Sequence, residues 1–184
     1  MAIVAAIVVG LLFGGADQYL GSLIRLGPWT VSVSQMSAPW LILPLVFGAT
    51  QRTPGRAALT GLAAAAAALA GYFVMTLSPV EGVAPATALT DVPGLLGSNV
   101  ENIIGGAVTA PICGAIGQRA GAGRWWPAAV IVAGALCLEP FAREAVDRRF
   151  APAYVWELET AAGLAIGLAA AVTAVVGARR ARAG

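Results

Sequence analysis

Six apolar stretches, at about residues 2–24, 35–50, 57–77, 95–117, 126–146 and 154–177, leave little choice of fold. About 20 apolar residues rising 1.5 Å each cross the ~30 Å hydrocarbon core of a bilayer. In lipid each backbone N–H and C=O must be satisfied within the segment, so stretches of this kind become helices. Only 11% of the 184 residues are charged, against about 25% in soluble domains, and mean hydropathy is +0.82. A water-facing surface cannot be assembled from that composition. The sequence predicts an all-α, polytopic membrane protein of the cell membrane. Its six transmembrane helices form one bundle, residues 1–184 make a single transmembrane domain, and both termini are cytoplasmic.

The charges support that orientation. All eleven basic residues are arginine. Six spans put Arg52, Arg56, Arg119, Arg124, Arg179, Arg180 and Arg182 on the side of the termini, and the positive-inside rule makes that side the cytoplasm. The nine carboxylates, Asp17, Glu81, Asp91, Glu101, Glu139, Glu144, Asp147, Glu157 and Glu159, fall in the opposite loops or half-spans. Glu139 and Arg143, one turn apart, read as a local i,i+4 ion pair. Retention of arginine explains solvated acids such as Glu81, Asp91, Glu144 and Asp147, but not every acid here.

Gly97 to Arg119 is apolar enough to cross a bilayer, yet opens with Ser98, Asn99, Glu101 and Asn102. A carboxylate at membrane depth costs roughly 2.5–3.5 kcal/mol, so such groups face partners or a wet cavity. In one continuous helix Ser98, Glu101, Asn102 and Gly105 share a stripe. Asp17 lies a turn and a half inside the first span and has the same need. The expectation is a polar, outward-opening cavity among spans one, two, four and six. Asp17, Gln35, Asn99, Glu101, Asn102 and Glu157 would bind a solute there, with Trp40, Tyr72 and Trp156 as walls. The same groups also fit an internal hydrogen-bonded girdle that only pins helices together.

The rest of the chain is read around that cavity. Pro39 and Pro44 interrupt the second span, a pattern that marks binding sites in transporters. The alternation in Trp29–Ser34 suits a short extended or re-entrant piece. Ala57 to Leu77, rich in Ala and Gly, is expected to be central, since small residues let helices approach closely in lipid. Ser78 to Pro93 reads as a loop, and Trp125 and Trp126 suit the headgroup belt. The start MAIVAAIV lacks the positive region of a secretory signal, so the first stretch is read as a retained span.

Several chemistries are excluded. There is no His, so Ser-His and Cys-His nucleophile systems are ruled out. Cys113 and Cys137, alone on separate apolar segments, offer no metal, haem or iron–sulfur ligand set and read as small buried residues. No cofactor and no metal are implied. There is no Lys for a phosphate loop, and arginines demanded by topology are no sign of nucleic acid. The expected partners are the lipid bilayer, a small-molecule solute and other membrane subunits.

QMSAPWLILPLVFGATQRTPGRAALTGL, a Pro-containing helix, a basic turn and a Gly- and Ala-rich helix, resembles the second-to-third helix passage of the substrate-binding S components of energy-coupling-factor transporters. The resemblance covers most of the chain as architecture: six helices, cytoplasmic termini and an outward-opening pocket. It implies uptake of a solute and docking of a coupling subunit by the first helix, where Ala2, Ala5 and Ala6 are similar to a loose form of the docking motif. The chain also resembles uncharacterised small six-helix membrane proteins of actinobacteria, a likeness that implies no activity. The competing expectation is an enzyme similar to membrane-embedded terpene or carotenoid cyclases. Glu101 or Asp17 would then be a general acid, and Trp40, Tyr72 and Trp156 would face the cation. A third class, a proton-coupled channel, wants an acid nearer the cytoplasm, and none is present.

Overall fold

A computed structural model describes residues 1–81, 85–121, 125–146 and 153–183. The chain is all-helical, with no strand among the described residues: α1 Ala2–Ser22, α2 Pro28–Ser34, α3 Ser37–Ala49, α4 Pro54–Thr76, α5 Pro85–Ser98, α6 Val100–Gly121, α7 Trp126–Val146 and α8 Ala153–Ala183. Four helices, α1, α4, α6 and α8, are long and apolar enough to cross a membrane, and α2 with α3, bent by 41° at a short break, makes a fifth if counted as one broken span. The apolar part of α7, Trp126–Ala142, is shorter. Exposed Leu12, Val74, Ile104, Leu138 and Leu168 leave the outer faces apolar. These features fit a multi-pass membrane protein.

α4 is the hub, packed against α1, α3 and α6. Its small residues explain why. A Cβ at Gly14 would strike the Ala68 carbonyl, and one at Gly71 would strike the Leu11 carbonyl, so α1 and α4 meet backbone to backbone along their length. Near the other end, Gly48, Gly114 and Ala57 bring α3, α6 and α4 together in the same way. Toward Gly105 this contact ends, with nothing within 4 Å of a Cβ built there. The bundle is thus closed at one end by small residues and splayed at the other.

α7 and α8 pair with each other and lean on this bundle. Val132 of α7 packs with Leu45 of α3 and Cys113 of α6. At the splayed end a second contact fixes the hairpin. Both oxygens of the buried Glu139 carboxylate accept from the Ser37 backbone N–H, at 2.9 and 2.8 Å, and Oε2 also accepts from the Ser37 hydroxyl at 2.6 Å. Ser37 is the first residue of α3, whose free N–H groups carry partial positive charge. A carboxylate from α7 therefore caps the lower half of a broken span. The expected Glu139–Arg143 pair cannot be compared, because the Arg143 side chain lies outside the described residues, as do Arg124, Asp147, Arg148, Arg149 and the side chains of Asp91, Arg179, Arg180 and Arg182.

Three sequence expectations need correction. Much of the expected loop from Ser78 to Pro93 is helix α5, because Pro85 occupies a first helical position where its missing N–H costs nothing. The chain then turns at Asn99, so the expected fourth span starts at Val100 and not near residue 95. Trp29–Ser34 is helical and not extended, while the bent α2–α3 pair has the form of a broken span or a re-entrant loop. In addition, Ala6 is fully buried, so the loose docking motif on α1 does not present that residue outward. Cys113 and Cys137 are both free, the first buried and the second half-buried.

Candidate functional site

The splayed end encloses a cavity of about 590 Å³. α1 contributes Asp17, the α2–α3 break contributes Gln35, Ser37 and Trp40, α4 contributes Tyr72, and α6 with the turn before it contributes Asn99, Glu101 and Asn102. Seven of the nine expected site residues therefore line one space. Its polar groups come from segments far apart in sequence, and its volume falls in the range of ordinary small-molecule sites.

Asp17 forms the most structured part of the lining. Its Oδ2 accepts from the Trp40 indole N–H at 3.3 Å. Among the described residues no other group donates to this carboxylate and no arginine pairs with it. The Trp40 ring stands edge-on to Phe13, centroids 5.4 Å apart, and to Tyr72 at 6.4 Å, while Tyr72 meets Phe73 at 5.8 Å. Four rings from α1, α3 and α4 thus hold one carboxylate against an apolar wall. Edge-to-face contacts of this kind fix ring orientation.

Glu101 is placed differently from expectation. Because the helix begins at Val100, Glu101 sits in the first turn of α6 and not beyond it. It is exposed, as is Asn102. The N-terminal end of a helix favours a carboxylate there, so Glu101 needs no buried partner and stands at the rim. The expected shared stripe with Ser98 is broken by the turn. Asn102 Nδ2 donates to Asn99 Oδ1 at 3.2 Å, and Asn99 Nδ2 donates to the Leu95 carbonyl at 2.9 Å. These bonds hold the turn that forms one lip of the cavity.

Trp156 and Glu157 are not brought to this cavity. They lie on α8 beside Pro140, Phe141, Glu144 and Thr160, around a separate shallow depression. The reason is the pairing of α8 with α7, which keeps the sixth apolar stretch off the α1–α4–α6 group. The third stretch, through Tyr72, Leu69 and Ala65 of α4, supplies the wall expected from the sixth. Sequence reasoning missed Ser34, Ser37 and Thr109 among the polar lining residues. Ser37 had a signal, as a Ser before a Pro-broken apolar helix is a helix-start pattern.

Arg52 and Arg119 lie at the other end, where Gln118 Nε2 donates to the Arg52 carbonyl at 3.4 Å. The cavity and these arginines thus occupy opposite ends of the bundle. Among known proteins, no family model, curated protein or solved structure matches this chain.

Proposed function

We propose that this is a six-span protein of the cell membrane, with both termini cytoplasmic, that binds a small solute from the outside as the recognition component of an uptake system. The span beyond the five that length and apolarity give is, in this reading, α7, the fifth in chain order, whose short apolar part is completed by its more polar end. One observation carries the proposal: side chains from α1, α3, α4 and α6 converge on one cavity at the end of the bundle away from Arg52 and Arg119. An inert girdle would satisfy its polar groups against one another, whereas Asp17 has a single neutral donor among the described residues. Other membrane subunits would supply the energy for release inward.

Mass spectrometry of small molecules co-purifying with the chain tests this. A solute is expected with the wild type, reduced roughly tenfold by Asp17→Asn, the factor that corresponds to one good polar contact. Glu101→Gln should reduce it less, as the group is at the rim. Equal recovery from all three forms, or recovery from none, overturns the reading.

A second reading rests on the same carboxylate beside the same rings. In a membrane-embedded isoprenoid cyclase Asp17 would be the general acid and Trp40 and Tyr72 would face the cation. Glu101, exposed, lacks the enclosure such an acid needs. This reading requires that the purified chain alone convert an isoprenoid, and that Asp17→Asn abolish product.

A further inference from the structure

The charge of the lining bears on which solutes the cavity would accept. Two carboxylates, Asp17 and Glu101, are among its residues, and among the described residues it contains no arginine. The carboxylate Glu139, one helix away, is occupied by Ser37 through three contacts. Asp17 is not occupied in that way. Its Oδ2 takes the Trp40 N–H, and its Oδ1 has no donor among the described residues. A carboxylate in a partly apolar space with one neutral donor is short of compensation and calls for a cation.

The walls narrow the class. Trp40 and Tyr72 both line the cavity and are locked edge-to-face at 69°. Ring faces attract an ammonium group through their quadrupole and are indifferent to its hydration geometry. A hard metal ion instead demands six or more oxygens, carboxylates foremost, and among the described residues no group of three His, Cys, Asp or Glu side chains is gathered to hold one. The half-buried Asp17 lies within, and Glu101 lies at the rim, where an exposed negative charge draws cations inward. An anionic solute meets repulsion at the mouth and again inside.

We infer that the cavity selects a small organic cation, an amine or quaternary ammonium compound, with Asp17 as its counter-charge and Trp40 and Tyr72 as its aromatic walls. The inference rests on the solute-binding reading above and specifies its ligand class. It concerns the cavity alone and is independent of whether the solute is then transported.

Three matched probes test it on the full chain in lipid nanodiscs, with empty nanodiscs as the partition control: (2-phenylethyl)trimethylammonium, 2-phenylethanol and 3-phenylpropionate. Isothermal titration is expected to show the ammonium compound binding at least about tenfold more tightly than the alcohol, with the carboxylate weaker still. Asp17→Asn keeps an acceptor for Trp40 and should bring the ammonium compound down to the affinity of the alcohol. Glu101→Gln should cost roughly two- to threefold and flatten the salt dependence, as expected of an exposed charge. If the alcohol or the carboxylate binds as well as the ammonium compound, or if the preference survives Asp17→Asn in a chain that remains monodisperse, the cation assignment fails and solute binding stands. If none of the three binds, the cation assignment fails, and the co-purification experiment decides separately whether solute binding stands.

Discussion

Three carboxylates, Glu101, Glu139 and Asp17, meet different fates, and the differences lie in what surrounds them. Glu101 sits in the first turn of α6, where the helix terminus itself suits a negative charge. Glu139 caps another helix through the Ser37 N–H and hydroxyl. Among the described residues Asp17 has only an indole N–H, from a ring held by its own aromatic neighbours. The Glu139 contact gives a prediction at this scale. Glu139→Ala strips the acceptor from the Ser37 N–H and hydroxyl, bonds that are part-buried, and should lower stability by roughly 1–3 kcal/mol in equilibrium unfolding in mixed micelles. Ser37→Ala removes only the hydroxyl and leaves the N–H bonded, so a smaller loss, about 0.5–1.5 kcal/mol, is expected. Equal losses for the two variants would assign the contact to the hydroxyl and remove the capping role of the carboxylate.

Among the elements, glycine and alanine decide which helices touch. The α1–α4 contact has Gly14 against Ala68 and Gly71 against Leu11, backbone on backbone. Without a hydrophobic force between helices in lipid, such close approach and its dispersion contacts supply the association. Gly14→Val and Gly71→Val should each cost about 1–3 kcal/mol by overpacking, read as lower resistance to unfolding and looser α1–α4 proximity by cysteine cross-linking. Gly134→Ala on α7, where a Cβ meets nothing within 4 Å, should be neutral or gain up to about 1 kcal/mol from helix propensity. Loss at Gly134 equal to that at Gly14 would mean that close approach of α1 and α4 is not what makes glycine necessary there. The break between α2 and α3 belongs to this scale too. The sequence placed the interruption at Pro39 and Pro44, but α3 runs through both prolines and the break falls before them, at Gln35 and Met36; its capping by a carboxylate of α7 was not legible either, because capping across 102 positions leaves no local pattern.

For the whole molecule, the arrangement has a closed end and a splayed end, with Arg52 and Arg119 at the first and the cavity at the second. Single cysteines in a background lacking Cys113 and Cys137 test its orientation in cells. An impermeant maleimide should label Asn102→Cys from outside, and should reach Arg52→Cys and Arg119→Cys only after permeabilisation; the reverse pattern would invert the topology. The membrane class, the helical fold and the candidacy of Asp17, Gln35, Trp40, Tyr72, Asn99, Glu101 and Asn102 could all be read from the chain, since hydropathy and the cost of a buried charge are local properties. The exclusion of Trp156 and Glu157 could not, because it follows from α8 pairing with α7 and not with α1 or α6. Nor could the relative standing of the two central acids. A one-dimensional string places Glu101 inside an apolar run, but the turn at Asn99 brings it to a helix end, and aromatic packing from three helices makes Asp17 the inner charge. Apolar length alone determined that this chain forms helices long and apolar enough to cross a membrane. Which helices approach closely, and so which carboxylate lies within the cavity, was decided by where small residues let backbones meet.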